Sequence, residues 1–171
     1  MKSFLHFFVI LYLFYSRIKE GVEFEDPSLA SLSNKITDKD NDMNMIKKTI
    51  LPVILATAWI SLSEFVRNEF LVKSFWTDHY KALGLTFPSA PINGALWGVW
   101  SLFFAVAIFI LAKKFTLIQT TFLSWFVGFV LMWVVIGNLA VLPYGLLVYA
   151  IPLSILESFI AAWIIKYFQG K

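Results

Sequence analysis

From Phe115 to Leu156 the chain runs 42 residues without a charged side chain. As helix at 1.5 Å per residue this stretch is roughly 63 Å long, about twice the hydrocarbon thickness of a bilayer. It must therefore fold back once. The best break is Gly137-Asn138, with Pro143-Tyr144-Gly145 just beyond, because Gly, Asn and Pro are the residues that end helices and start turns. This gives two spans, roughly 116–137 and 142–165, the second ended by Lys166.

Two more spans precede them. Pro91 to Ala112 is 22 residues without a charge, and Pro91 suits a first helical turn, where a missing N–H costs nothing. Lys113-Lys114 then makes a tight basic turn. Thr49 to about Val72 is the earliest clear span, although Glu64, Arg67 and Glu69 interrupt its second half. Between these two, Lys73 to Pro88 reads as an amphipathic connection. The expected fold is all-α: a bundle of four transmembrane helices, about 49–72, 91–112, 116–137 and 142–165.

Composition agrees. Apolar residues make up 59% of the chain and charged residues 15%, against about a quarter charged in a typical soluble domain. The 18 Phe and 7 Trp suit a lipid-facing surface with interfacial aromatics. A net charge of +3 without a basic stripe argues against nucleic acid as a partner. The absence of Cys excludes disulfides, thiolate metal sites and thiol catalysis.

The first 44 residues are a different kind of polymer. Residues 1–46 hold 5 basic and 7 acidic side chains, whereas 47–171 hold 9 and 4. Phe4 to Tyr15 is apolar but shorter than the ~20 residues a span needs. It resembles the front of a signal peptide, yet Ser16-Arg17-Ile18-Lys19 stands in place of a cleavage site. Glu20 to Asn44 reads as a polar, disordered linker. Met45-Ile46-Lys47-Lys48 has the look of a natural start. The chain thus divides into an extension, 1–44, not necessarily native, and a four-helix transmembrane domain, 45–171.

In a four-span arrangement Lys47, Lys48, Lys113, Lys114, Lys166 and Lys171 fall on one side, and Lys73, Lys81 and Arg67 on the other. The basic excess places both termini in the cytoplasm and the protein in the cell membrane as a multi-pass chain.

Polar residues inside such spans are the candidates for function, since lipid cannot solvate them. Thr57, Ser61, Glu64 and Asn68 step by four, three and four along one helix face, and Arg67 joins that stripe. One reading is a functional polar interior; the other is a Glu64–Arg67 ion pair near the outer interface that only sets packing. Glu157 is the sharpest signal. It stands about 13 Å of helix before Lys166, where a carboxylate must be paired, hydrated or protonated. Glu64 lies about 22 Å along its helix from Thr49 and is expected near the outer leaflet, away from Glu157. Gln119, Thr120 and Thr121 are the expected neighbours of Glu157. Glu69, Trp76, Asp78, His79, Tyr80, Asn93, Asn138 and Tyr144 gather toward the outer face and, with Glu64, Arg67 and Asn68, would line an outward-open pocket. No metal spacing and no cofactor motif occurs, so neither is assigned.

Small residues mark the packing faces. Gly94-Ala95-Leu96-Trp97-Gly98 is a GxxxG continued by Ser101 and Ala105; Ser124 and Gly128 mark the third span; Ala150, Ser154, Ser158 and Ala162 form a stripe on the fourth. Such stripes let helix backbones approach closely, here within one bundle rather than at a dimer seam. Trp97, Trp100, Trp125, Trp133 and Trp163 read as bulk apolar or interfacial residues.

Phe70 to Phe87, with Phe75-Trp76 and Leu83-Gly84, leads into Pro91 and the GxxxG. That stretch resembles small four-helix bacterial membrane proteins described only as uncharacterised. The resemblance implies the fold and brings no active residues.

Three functions are compatible with these features. The leading one is binding or transport of a small solute or ion by Glu64, Arg67, Asn68, His79, Asn93 and Glu157. The second is a non-catalytic accessory or assembly subunit whose small-residue stripes face a membrane protein partner. The third, an enzyme acting on lipid through His79, Asp78 and Glu64, has no motif behind it.

Overall fold

The computed structural model describes residues 43–170, together with 31, 35–37 and 39. The apolar run Phe4–Tyr15 lies outside these, as does most of the linker after it. The chain divides into two units, Met1–Met43 and Asn44–Lys171.

The second unit is an all-α bundle with four helices long and apolar enough to cross a bilayer, and no strand among the described residues. Helix α1 is continuous through Ile46–Ile50, Leu51–Val66 and Arg67–Leu71. A short helix, α2 (Lys73–Ala82), comes directly after it. Helix α3 is Pro91–Ala112, with the proline in its first turn as expected. Helix α4 runs through Leu117–Trp125, Phe126–Val130 and Leu131–Asn138. Helix α5 opens with a 3₁₀ turn, Tyr144–Leu146, and continues as Leu147–Gln169.

The ends of these helices have local causes. Thr116 caps α4: its hydroxyl accepts from the Gln119 N–H at 3.3 Å, and Gln119 Oε1 accepts from the Thr116 N–H at 3.1 Å. This capping box satisfies two donors that a helix start leaves free. Gly170 ends α5 in the left-handed conformation, φ 69°. The turn between α4 and α5 falls where Gly137-Asn138 suggested, but the residue that adopts positive φ is Ala140, at 58°. Gly137 and Asn138 complete the helix instead. The left-handed alanine costs about 1–2 kcal/mol, and its carbonyl is held from α2 by His79 Nε2 at 3.0 Å. A carbonyl only accepts, so that ring nitrogen carries the proton.

Helix α1 packs on α3 and α5, α4 packs on α3 and α5, and α3 reaches across to α5. Successive membrane-length helices are neighbours and antiparallel, and α5 closes back on α1. The lysines flanking α1, α3 and α5 therefore gather at one end of the bundle. Lys166 shows this directly: its buried ammonium donates to the carbonyl of Ala112, the last residue of α3, at 3.1 Å. A cation at a helix C-terminus sits against the favourable end of the dipole.

Side chains are distributed inside out. Large apolar residues such as Ile54, Leu62, Phe103, Val134, Val148 and Leu156 point outward and are exposed, while Ser101, Thr120, Thr121, Ser124, Ser154 and Ser158 are buried. Water would punish that surface and lipid rewards it; small polar residues inside allow close approach of backbones. Several of these hydroxyls bond within their own helix: Ser101 to the Trp97 carbonyl at 2.9 Å, Thr121 to Leu117 at 2.9 Å, Ser124 to Thr121 at 3.1 Å. Length, apolar surface and polar interior together have the character of a multi-pass membrane protein.

The small-residue stripes behave differently from one another. Ala150, Ser154, Ser158 and Ala162 are all buried on α5. Gly128 on α4 lies under the Phe104 ring, and a Cβ there would come within 2.5 Å of it. The GxxxG of α3 does not pack inside the bundle: a Cβ on Gly94 or Gly98 would meet nothing within 4 Å. Helix α3 buries only its second half, from Ser101 onward. Trp100 and Phe104 wedge between α3 and α4 at that level, and among the described residues the first half of α3 has no neighbour on its glycine face.

Candidate functional site

The polar face of α1 meets α5 across a buried seam. Glu64 and Arg67, one turn apart on α1, form an ion pair and are 4% and 6% exposed. Arg67 also reaches Glu157 on α5, with Nη1 3.4 Å from Oε2. Glu157 is fully buried. Its Oε2 accepts from the Ser63 hydroxyl at 2.8 Å, and its backbone carbonyl accepts from Trp59 Nε1 at 3.1 Å. One guanidinium thus serves two buried carboxylates from different helices.

The network continues outward from Glu64. Asn68 Nδ2 donates to Glu64 Oε2 at 2.7 Å, and Asn68 Oδ1 accepts from Trp76 Nε1 of α2 at 3.2 Å. A line of polar contacts therefore links α5, α1 and α2. Beneath it lies an aromatic floor. The Arg67 guanidinium sits 5.1 Å from the ring centroid of Phe129, a buried residue of α4. Attraction between the cation and the ring face adds to the ion pairs in this desolvated setting. Phe129 in turn packs against Phe104, Trp100 and Trp133, with centroids 5.5, 5.6 and 5.9 Å away.

Helix irregularities converge here. Arg67 opens the π-helical turn Arg67–Leu71, closed by the Val72 N–H on the Arg67 carbonyl at 3.0 Å, five residues back. Phe129 sits in another π-turn, Phe126–Val130, while a further one, Ile46–Ile50, opens α1 away from the cluster. Pro152 lies inside α5 one and a half turns before Glu157 and cannot donate to the carbonyl of Val148. Single π-turns inside α-helices are frequent at functional sites.

The structure corrects the expected separation of Glu64 from Glu157. Counting Cα positions along each helix put them in opposite leaflets. Side chains in a helix slant toward its N-terminus, so the long Arg67 side chain runs back about one turn and reaches the level of Ser63 and Glu157. Thr120 and Thr121, expected beside Glu157, instead bond the carbonyls of Phe115, just before α4, and Leu117 at its start, and Gln119 is taken by the cap. The partners of Glu157 come from α1.

Of the residues singled out in the sequence, Glu64, Arg67, Asn68 and Glu157 come together. His79 is on α2, bonded to Ala140, and Asn93 is in the first turn of α3; no hydrogen bond or ion pair among the described residues joins either to the cluster. Glu69 pairs with Lys73 at 2.5 Å on the exposed surface. Among the described residues, no hydrogen bond or ion pair joins Glu64 to Asp78 or His79. Trp59, Ser63 and Phe129 were not anticipated. The signal for the first two was present, since Trp59, Ser63 and Arg67 are spaced by four on the same helix as Glu64.

Two carboxylates and no His or third acid make the cluster a poor metal cage, and no group of three or more metal-binding side chains occurs among the described residues. An open, apolar groove of about 560 Å³ lies between α3 and α4, lined by Phe103, Phe104, Val127, Leu131 and Val135 among others. It carries no ionisable side chain.

No family model, curated protein or solved structure matches this chain. The functional reading rests on the residues themselves.

Proposed function

We propose that this chain is a small multi-pass membrane protein that binds a small solute or ion at the Glu64–Arg67–Glu157 cluster and moves it through the polar interior of the bundle. One observation carries the reading: a single buried guanidinium faces two buried carboxylates, and among the described residues Glu157 Oε1 has no hydrogen-bond partner. A purely structural ion pair needs one acid for one base. A second buried acid adds a desolvation cost that packing alone does not return. Asn68 extends the same site toward α2. Lys47, Lys48, Lys113, Lys114 and Lys166 mark the cytoplasmic end, with both termini there.

Native mass spectrometry of the protein released from lipid tests this, wild type beside Glu64→Gln and Glu157→Gln. A specific bound mass lost in either variant is the expected result. A bare chain in all three samples, with normal folding, would contradict it. Orientation is checked separately in the cysteine-free chain: single cysteines at Ser89, Lys114, Asn138 and Gly170 should label from outside, inside, outside and inside.

A second reading, an accessory or assembly subunit, is favoured by one observation, the unpacked GxxxG face of α3. There the partner would be another membrane protein, and stoichiometric co-purification lost in Gly94→Leu and Gly98→Leu would support it.

A further inference from the structure

The charge count around the cluster is uneven, and its atoms say where the imbalance sits. Arg67 brings one positive charge to two carboxylates. Glu64 is satisfied as an ionised acceptor: Oε1 takes Arg67 and Oε2 takes Asn68. Glu157 is not. Its Oε2 takes Ser63 and faces Arg67, while Oε1 is buried with no partner. Among the described residues, the helices around it offer no other charge. From α1 come Glu64 and Arg67. Helix α3 presents Ser101 and α4 presents Thr120, Thr121 and Ser124 as their buried polar groups, with no buried ionisable side chain. On α5 itself Tyr149 is exposed, and the nearest charged residue is Lys166, bonded at the far end to the Ala112 carbonyl. A metal cation would need several oxygen ligands, and Arg67 would repel it. A proton needs one acceptor.

We propose that Glu157 is a proton-binding site, its Oε1 taking a proton from water when the seam opens and returning it to water later. The inference rests on the reading of this cluster as a binding site and adds a proton to the solute proposed there. With Oε1 protonated, the cluster is neutral: Glu64 and Arg67 cancel, and the carboxyl of Glu157 is an uncharged acid. A neutral hydroxyl without a partner costs far less in an apolar interior than an unpaired charge. When the proton leaves, the Glu157 carboxylate competes with Glu64 for the guanidinium. Among the described residues Arg67 Nη1 has no hydrogen bond, so it can close the 3.4 Å gap. Protonation thereby sets how tightly α1 is drawn to α5, and the π-turn at Arg67–Leu71 and Pro152 give both helices room to respond.

Infrared spectroscopy of the full chain in lipid reads the proton directly, because a protonated carboxyl absorbs apart from ionised carboxylates. The wild type at neutral pH should show one such band. It should shift on transfer to D₂O and disappear at strongly alkaline pH. The band should be lost in Glu157→Gln, and it should weaken in Glu64→Gln, where Arg67 is left to Glu157 alone. In Arg67→Gln, where both acids lose their counterion, its amplitude should double. Absence of the band in the wild type, absence of the D₂O shift, or persistence of the band in folded Glu157→Gln would overturn the proposal. If Glu157→Gln fails to fold, the wild-type D₂O shift and the Arg67→Gln amplitude decide alone. The measurement needs no solute. A missing band therefore counts against the proton only, and a missing bound mass counts against the solute only.

Discussion

The seam between α1 and α5 and the seam between α3 and α4 solve the same packing problem with opposite chemistry. The first is joined by charge: Ser63, Glu64, Arg67 and Glu157, with Trp59 donating across it. The second is joined by shape: the Phe104 ring lies on Gly128 and stacks on Trp100 at 5.0 Å. Lipid removes the hydrophobic drive between helices, so either close fit or polar bonding must replace it. A fitted seam has one good arrangement. A seam with one base and two acids has two, depending on which acid holds the base. The two seams touch at Phe129, packed against Phe104 on one side and under Arg67 on the other.

Breaking the charged seam should cost most. Arg67→Gln strands two buried acids, and the expected loss is about 3–5 kcal/mol, the usual consequence of removing one partner of a buried pair. Unfolding in mixed micelles, followed by tryptophan fluorescence, would measure it. Ser63→Ala takes one donor from Glu157 and should cost about 1.5–3 kcal/mol by the same assay. A loss below about 0.5 kcal/mol would mean that the hydroxyl is not needed there.

The fitted seam should fail by overpacking. Gly128→Ala would press a methyl into the Phe104 ring, which Trp100 and Phe129 hold in place, at a cost of about 1–3 kcal/mol. Phe104→Leu in the same chain should recover part of it. The smallest effect belongs outside both seams. Lys73–Glu69 is roughly half exposed on each side, and Glu69→Ala should change stability by less than about 1 kcal/mol. A larger loss there than in Ser63→Ala would reverse this order.

The helices were legible because each span is a long apolar segment ended by Lys, Pro or Gly, and such signals are local. Glu157 was legible for the same reason: a lone acid in an apolar helix needs no neighbour to be noticed. Its partners were not. Ser63 and Trp59 share a helix face with Arg67, but the sequence does not say that α5 docks on that face, and Arg67 was misplaced because a residue's height along its helix was taken for the height of its charge. The open GxxxG could not be read either, since the motif says that two backbones can approach and not whether a second helix is there. The irregular turn at Arg67–Leu71 is absent from the periodicity because it depends on how α1 hands over to α2.

The most direct test of the assembled cluster is a double-mutant cycle on Arg67→Gln and Glu157→Gln in lipid. If Arg67 serves Glu157 across the α1–α5 seam, removing the acid should rescue part of the damage done by removing the base. The expected coupling is about 1–3 kcal/mol, with the double variant more stable than Arg67→Gln alone. Two losses that simply add, within about 0.5 kcal/mol, would show that the two residues do not share a site and would contradict the shared-guanidinium cluster.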